Sequence, residues 1–278
     1  MKSSAYLTRG LQAVALGAFF ALSLTPVSAA PLVVTVDTAL PQDTVATFDS
    51  IAVSDGAVLT VGGGSEITVT GAVTVSGSSQ IVFAGKNVGA QVDGAWVGKG
   101  SSLQAASVSV DAGSAIHADG QGYTTAKGPG LSLSNNLGAS HGGVGTGASL
   151  AAYGVTREPV ELGSASGAFA SATFGGGAIR LIVSGSLAVE GRISADGTAS
   201  GLNHSGAAGG SIWIETGSLT GGGIIRANAS AGGAAGGNRD SGGGRVAVYF
   251  MDSTGFDLSA VAASGYDGSQ DGTVYLFD

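Results

Sequence analysis

Three stretches decide the fold: GGGAIRLIV at residues 175–183, GGSIWI at 209–214 and GGGRVAVYF at 242–250. In each of them a glycine tract leads directly into a run whose alternate positions are apolar. Alternation with a period of two is typical of a β-strand that buries one face. The last glycines of the three tracts lie 33 and then 34 residues apart. A repeat of that length indicates stacked units that bury their apolar faces on one another.

A second short element recurs between the glycine tracts, with an isoleucine or valine followed two positions later by alanine. It begins at Ile116, Ile193, Ile225 and Val261. Parallel stacking of the repeats would place these residues in one internal ladder. The same stacking would place Ile179, Ile212 and Val246 in a second ladder, with Val274 continuing it. Small alanines beside branched side chains suit the narrow interior that such stacking creates.

The predicted fold is therefore all-β: a right-handed parallel β-helix, or β-solenoid, with glycine-rich loops. A β-sandwich also has alternating strands, but it requires no 33-residue register, so the repeat favours the solenoid. Residues 30–100 read as short strands with brief turns, and residues 101–278 have longer, glycine-rich intervals. The stretch 120–174 is the least regular and predicts one or two large loops.

The N-terminal residues 1–29 have the pattern of a secretory signal peptide. Lys2 and Arg9 precede an apolar run, and the small residues Ser28 and Ala29 follow it. The run is shorter than a membrane-spanning helix requires, so cleavage after Ala29 is the expected outcome rather than anchoring. We expect an exported protein, extracellular or attached to the surface of a bacterial cell, without a transmembrane segment once the signal is removed.

Composition excludes several classes of function. The chain has no cysteine, which excludes thiol nucleophiles, thiolate metal sites and stabilising disulfides. With 51 glycines but only 5 prolines, it is not collagen. The formal net charge is −8, and no stretch gathers lysine or arginine, so a nucleic-acid partner is not expected.

The repeats resemble a known group of proteins. The segment GGGRVAVY (242–249), the earlier GGSIWIETGSLTG (209–221) and the closing DGTVYLF (271–277) look like the glycine-rich parallel β-helix repeats of bacterial surface and adhesin-like proteins. The likeness covers about residues 175–278 well and the rest only generally. It implies a right-handed β-helix and a structural or adhesive role at the cell surface.

Candidate catalytic residues are few. Asp119, Asp196, His117 and His204, with Arg192 nearby, are the groups that a β-helix hydrolase or lyase could use. Both aspartates precede glycine, which is typical of a turn in which the carboxylate bonds its own backbone. His141 and His204 lie in glycine- and serine-rich stretches and are expected to be solvated. The sequence thus predicts no catalytic residue and no cofactor.

Calcium binding is a second possible chemistry for the acidic residues. Asp240, Asp267 and Asp271 could meet calcium in loops near the C-terminus, but the glycine-rich calcium nonapeptide is absent. No dedicated metal site is predicted.

Aromatic residues give a candidate contact face. If the isoleucine ladder points inward, Trp213, Tyr249, Tyr275 and Phe277 all point outward and stack onto one face. Exposed aromatics of this kind could bind sugar rings or a protein partner. Two alternatives stay open: a loop covers the face, or the register is wrong by one residue and every side chain is inverted.

These observations predict a non-catalytic structural or adhesive protein: a matrix, sheath, appendage or surface component. Self-association or docking to a surface or matrix partner would use the aromatic face and the strand-like segment 273–277. The alternative is a carbohydrate-active enzyme or a carbohydrate-binding module on the same scaffold. Polar side chains converging in one cleft would favour that alternative, whereas a dispersed set favours the structural role.

Overall fold

The computed structural model describes residues 29–131, 137–147, 151–167, 172–199, 205–231 and 240–278. Within those residues the regular secondary structure is almost entirely β-strand, with one 3-10 turn at Leu258–Ala260. The predicted all-β class is confirmed. Apart from Ala29, the predicted signal peptide lies outside the described residues. In chain order the strands are β1 (Leu32–Val34), β2 (Thr38–Leu40), β3 (Val45–Phe48), β4 (Ile51–Val53), β5 (Val58–Val61), β6 (Glu66–Val75), β7 (Gln80–Phe83), β8 (Ser101–Val110), β9 (Ala115–His117), β10 (Thr173–Phe174), β11 (Ala178–Val189), β12 (Arg192–Ser194), β13 (Thr198–Ala199), β14 (Ser211–Gly221), β15 (Ile224–Arg226), β16 (Arg245–Phe256), β17 (Val261–Ala262) and β18 (Thr273–Phe277).

Two parallel sheets contain nearly all of these strands. A nine-stranded sheet has the order β1-β4-β6-β8-β11-β14-β16-β18, with β3 also paired to β6. A seven-stranded sheet has the order β17-β15-β12-β9-β7-β5-β2. From β4 onward the chain alternates between the two sheets, and each new strand pairs in parallel with the previous strand of its own sheet. A separate antiparallel pair joins β10 and β13 in the loop regions.

The predicted ladders form the core. Ile179 pairs with Ile212, and Ile212 with Val246, and all three side chains are at most 1% exposed. In the other sheet Ile225 lies between Ile193 and Val261. One continuous cluster of buried side chains runs through both sheets, so the predicted repeat register is confirmed. Branched side chains stacked on like side chains keep that register, because a shift by one residue would turn the apolar set outward.

The predicted ladder ends in an exposed residue. Val274 pairs with Val246 and continues the inward column, yet it is 41% exposed. Among the described residues no strand pairs with the far side of β18, so nothing covers Val274 there. The side of β18 that faces away from β16 is therefore an open edge.

Glycine marks the point where the chain returns from each loop to the nine-stranded sheet. Each return is closed by a hydrogen bond from a glycine amide to the alanine carbonyl at which the loop began. The four bonds are Gly177 to Ala118 (2.7 Å), Gly210 to Ala195 (2.7 Å), Gly244 to Ala227 (2.8 Å) and Gly272 to Ala263 (2.7 Å). A Cβ on Gly210 would overlap the carbonyl oxygen of Gly177, and one on Gly244 would overlap that of Gly210. Glycine is required because the backbones pack directly on one another.

The loops that begin and end at these bonds differ widely in length. They cover residues 119–176, 196–209, 228–243 and 264–271. The longest contains the stretch 120–174 that the sequence marked as least regular, and of the eighteen strands it holds only β10. Length variation is tolerated because each loop starts and finishes at the same alanine–glycine bond.

The buried ladder can be tested with a pair of neighbouring substitutions. Ile225→Asp would place an unpaired carboxylate in the core, where Ile225 is fully buried, and should lower the free energy of unfolding by at least about 3 kcal/mol. Ile224→Asp is the matched control, because Ile224 occupies the adjacent, partly exposed position. Thermal and denaturant unfolding followed by circular dichroism measures both. Equal losses in the two variants would show that the inward and outward positions are misassigned.

Candidate contact surface

The four predicted aromatic residues lie on the outer face of the nine-stranded sheet. Trp213 comes from β14, Tyr249 from β16, and Tyr275 and Phe277 from β18. Their neighbours along each strand, such as Ile212 and Val248, are buried. The alternation of inward and outward side chains therefore follows the predicted phase, and the one-residue slip is excluded.

Three of the four residues form one group, here called the aromatic cluster: Tyr249, Tyr275 and Phe277. The ring centroids of Tyr249 lie 5.7 Å from Tyr275 and 5.8 Å from Phe277. Tyr275 and Phe277 are stacked at 6.2 Å with an angle of 8° between their planes. Phe277 is 54% exposed, so the cluster keeps accessible apolar surface.

Trp213 is held apart from the cluster. The guanidinium of Arg180 lies 4.1 Å from the Trp213 ring centroid, an arrangement in which the cation is attracted to the ring face. Across the sheet Trp213 pairs with Ala247, which separates it from Tyr275 in the same column. Its indole N–H is shielded from solvent and has no hydrogen-bond partner among the described residues. The predicted four-residue face is thus one cluster of three and a separate arginine–tryptophan stack.

A loop crosses this face and covers part of it; we call residues 151–163 the covering segment. The hydroxyl of Tyr249 donates to the carbonyl of Arg157 at 2.9 Å, and the Arg157 guanidinium lies 5.2 Å from the Tyr275 ring centroid. Ser211 donates to the carbonyl of Glu161 at 2.6 Å. Ala247 is fully buried although it points outward. The alternative of a covering loop is therefore correct for the middle of the face.

Arg245 anchors the covering segment to β16. Its Nε donates to the carbonyl of Tyr153 at 2.8 Å, and one Nη donates to Thr156 at 3.1 Å. Arg245 is only 6% exposed, and burial is the main cause that lowers its pKa. Both contacts give the buried guanidinium a hydrogen-bond acceptor. Arg245 therefore holds the covering segment in place, and the segment in turn stabilises the buried charge on β16.

Beside the covering segment an open groove of about 590 Å³ remains. Aromatic and acidic side chains line it, among them Trp213, Tyr249, Phe277, Glu158 and Glu215. Met251, at its margin, is 85% exposed. Apolar contact and acceptance of hydrogen bonds are the interactions that such a surface offers, whereas the two glutamates oppose an anionic ligand.

The candidate catalytic aspartates have other partners. Asp119 Oδ1 accepts the backbone N–H of Asp196 at 2.8 Å, and Asp196 Oδ1 accepts that of Asn228 at 2.8 Å. Asn228 Oδ1 in turn accepts the N–H of Ser264 at 2.8 Å. We call Asp119, Asp196 and Asn228 the side-chain ladder. The prediction that the aspartates bond their own turns was wrong, because each carboxylate bonds the next repeat of the seven-stranded sheet.

The second oxygen of each aspartate meets an arginine from the following strand. Arg192 lies 2.8 Å from Asp119 Oδ2, and Arg226 lies 2.7 Å from Asp196 Oδ2. Burial, followed by the charge of Asp119, raises the pKa of Asp196. With both oxygens of each carboxylate bonded to protein groups, the ladder favours a structural role for the two aspartates.

His117 belongs to the same face. Its Nε2 lies 2.8 Å from the side-chain oxygen of Gln80, and its Nδ1 lies 3.6 Å from Asp119 Oδ2. Burial lowers the pKa of His117, and the charge of Asp119 acts in the opposite direction. The structure thus brings Asp119, Asp196, His117 and Arg192 together, while His204 lies outside the described residues.

His141 contradicts the prediction of a solvated loop residue, because it is fully buried. Its Nδ1 lies 2.7 Å from the carbonyl oxygen of Gly209, and its ring lies 4.7 Å from that of Tyr153. Nε2 is buried without a partner among the described residues. Burial holds the pKa of His141 at about 4; the bond to Gly209 opposes this shift, and the charge of Arg245 adds to it. The ring is neutral and donates from Nδ1.

The acidic residues near the C-terminus do not form a metal cluster in the described ranges. Asp271 Oδ1 accepts the N–H of Gly265 at 2.8 Å, which is a turn contact. Across the described part of the chain, no three His, Asp or Glu side chains gather as metal ligands would. Nor does that part of the chain contain a helix with the length and apolar character needed to cross a membrane.

Comparison with known proteins finds no matching family model, no matching curated protein and no matching solved structure. The contact surface is therefore interpreted from its own geometry.

Sequence reasoning missed two parts of this surface. One is Met251. It follows Tyr249 by two positions, so the alternation of inward and outward side chains was sufficient to predict that Met251 points outward. The covering segment has no apolar periodicity and gave no signal.

Removing a carboxylate from the side-chain ladder should destabilise the fold. Asp196→Ala would leave the N–H of Asn228 and the guanidinium of Arg226 without their acceptors, at a cost of about 1–3 kcal/mol in unfolding free energy. Asp196→Asn is the control, since its amide oxygen can still accept from Asn228, and it should lose less. Chemical denaturation of both variants measures the difference. If the alanine variant is as stable as the wild type, the ladder contributes nothing.

Acid should destabilise the protein through His141. Its folded-state pKa of about 4 lies below the usual histidine pKa of 6.5, so the neutral ring stabilises the fold fully above pH 6.5. That contribution is lost as the pH falls toward 4, a change of about 3 kcal/mol for one buried histidine. His141→Asn, which can still donate to Gly209, should flatten the pH dependence of unfolding free energy by close to one proton.

His117→Gln is the comparison variant and should flatten the curve less, because His117 is only partly buried. An unchanged slope in His141→Asn would mean that the ring is not buried in the folded protein.

Proposed function

We propose that the two parallel sheets are the walls of a right-handed parallel β-helix. Two observations support this: the chain alternates between the sheets repeat after repeat, and each loop is closed by the same alanine–glycine bond. The likeness of residues 175–278 to glycine-rich surface repeats points the same way. A β-helix is an extended scaffold whose outer faces and end edges are available for contacts.

We further propose that the protein is exported and acts as a non-catalytic structural or adhesive component of a matrix, sheath, appendage or cell surface. The side-chain ladder supports the non-catalytic part of this proposal. Its carboxylates are the strongest candidate acids, and both oxygens of each one bond protein groups that hold the repeats together, although Asp119 also lines an open pocket of about 400 Å³. The signal-peptide pattern of residues 1–29 supports export.

The observation that carries the proposal is the exposed apolar surface at the edge of β18. Phe277 is 54% exposed, Val274 is 41% exposed, and the edge of β18 away from β16 has no paired strand among the described residues. Unpaired backbone donors and acceptors on an edge strand pair readily with another chain. We therefore infer that this edge associates with a second copy of the chain.

The opposite end of the same sheet offers a matching edge. The register that ends at β18 begins at β3, because β3, β6, β8, β11, β14, β16 and β18 are paired in one parallel series. Val45 on β3 is 80% exposed and lies in the outward column that ends at Tyr275. A second copy placing β3 against β18 would extend both the hydrogen bonds and the columns. Such head-to-tail contacts produce open filaments.

Charge sets a condition on this association. The chain has a formal net charge of −8, so two copies repel each other at low ionic strength. Salt screens that repulsion while leaving apolar contacts intact. Association should therefore strengthen as salt is added.

Carbohydrate binding is the second candidate, and the groove beside the covering segment favours it. Trp213, Tyr249 and Phe277 could stack on sugar rings, and Glu158 and Glu215 could accept hydrogen bonds from hydroxyl groups. This reading requires only the groove, whereas head-to-tail association also requires Val45 at the far end. The two candidates are therefore separable by substitution.

Charge placed at either end should block self-association. Phe277→Asp alters the β18 end and Val45→Asp the β3 end, and each alone should keep the protein monomeric in salt. Val92→Asp is the control, because Val92 is 44% exposed and lies in the turn bridged by Val92 and Ala95, outside both β3 and β18. Analytical ultracentrifugation over a range of protein concentration and salt measures the size distribution.

An equal mixture of the two blocked variants gives the sharpest test. Each keeps one intact end, so the mixture should form dimers and nothing longer. A wild type that stays monomeric at high concentration and high salt would refute the self-association proposal. Glycan binding that is lost in Phe277→Asp and kept in Val45→Asp would then support the carbohydrate candidate.

A further inference from the structure

A pocket of about 400 Å³ lies on the outer face of the nine-stranded sheet. It is formed by strands nearer the N-terminal end of that sheet than β16 and β18, which carry the aromatic cluster. Its walls come from β6, β8, β11, the loop at 97–100 and the covering segment. Apolar side chains supply much of the surface, including Val97, Pro159 and Val160. Glu66, Lys99 and Arg180 supply the charge. The volume is within the lower range of pockets that hold small organic molecules.

The two cations in this pocket differ from three others in the described part of the chain, which pair with carboxylates. Elsewhere Lys86 pairs with Asp43, Arg192 with Asp119 and Arg226 with Asp196. Lys99 and Arg180 make no ion pair and no side-chain hydrogen bond within the described ranges. Because Lys99 and Arg180 line one pocket without a carboxylate partner, their charges are available to an anion from outside.

Arg180 gives the more specific signal. Its guanidinium is fixed over Trp213, with 4.1 Å to the ring centroid. A planar guanidinium held in one orientation suits a planar carboxylate.

The third charged residue restricts the ligand. Glu66 is exposed on β6 and lines the same pocket, so it would repel a second negative charge. One carboxylate near Lys99 and Arg180 is favoured, whereas a dianion would meet Glu66. The apolar walls then require a body that is not itself charged.

We propose that this pocket binds small organic monocarboxylates, with the carboxylate between Lys99 and Arg180 and the body against Val97, Pro159 and Val160. The same chemistry is present in a free acid with a hydrocarbon body and in a uronic acid unit of a glycan. The pocket shares no lining residue with the groove of the aromatic cluster. The proposal is thus independent of self-association. The pocket adjoins the groove where Arg180 stacks on Trp213, and substitutions at Lys99 and Glu66, which line the pocket alone, separate the two sites.

Intrinsic fluorescence provides the assay, because the chain has only 2 tryptophans and both are near the pocket. Trp213 lies under Arg180, and Trp96 precedes the wall residue Val97. Cyclohexanecarboxylate and galacturonate are the probes, and cyclohexylmethanol and galactose are their neutral counterparts. None of the four absorbs where tryptophan is excited.

We expect saturable quenching of tryptophan fluorescence by at least one of the two carboxylates. The affinity for its neutral counterpart should be at least about tenfold lower. Added salt should lower the affinity for the carboxylate and leave the affinity for the neutral compound unchanged. Tighter binding of galacturonate would identify a uronic acid as the source, and tighter binding of cyclohexanecarboxylate a hydrocarbon acid. If neither acid gives saturable binding, or each acid binds no better than its neutral counterpart, the proposal is wrong.

Variants separate the site from general effects. Lys99→Gln should weaken binding roughly tenfold, and Glu66→Gln should strengthen it, because the repulsive charge is gone. Both positions are exposed, so the fold should be retained, and circular dichroism checks this. Lys127→Gln removes a lysine that does not line the pocket and should leave affinity unchanged. Affinity that is the same in Lys99→Gln and Glu66→Gln as in the wild type would overturn the assignment.

Discussion

The close approach of backbones at the glycine returns is the constraint on which the rest of the structure depends. At Gly210 and Gly244 no side chain fits, since a Cβ would overlap the carbonyl of the preceding repeat. Only this contact allows each loop to close on the alanine where it began. The strands that follow are thereby placed in register, and like side chains stack on like in both sheets. At these returns glycine is thus a packing requirement.

The fold was largely predictable from the sequence because two of its rules are local. A period of two sets which side chains point inward, and the spacing of the glycine tracts sets the register. Ile179, Ile212 and Val246 could be placed in one ladder without any knowledge of the loops. Trp213 and Tyr249 could be placed on the outer face by the same rule.

The features that sequence reasoning missed all depend on the loops. The partner of the Asp119 carboxylate is the amide of Asp196, which is many residues away along the chain. His141 is buried because its loop packs on Gly209, and nothing periodic in the sequence indicates that contact. The covering segment likewise has no pattern that distinguishes it from a solvated loop. Contacts between an aperiodic segment and a periodic scaffold are set by tertiary packing, which a repeat analysis does not contain.

The longest loop also changes how the repeats depend on each other. In a stacked repeat structure each unit contacts mainly its neighbours, so separate parts can unfold one after another. Here a single loop bonds several repeats at once: His141 to Gly209, the amide of Gly143 to the carbonyl of Gly243, and the carbonyl of Val144 to the amide of Gln270. The loop therefore links repeats that are not adjacent to it in the sequence. Fraying of the last repeats would have to break these loop contacts as well, so we expect the C-terminal repeats to unfold as one cooperative unit and not strand by strand.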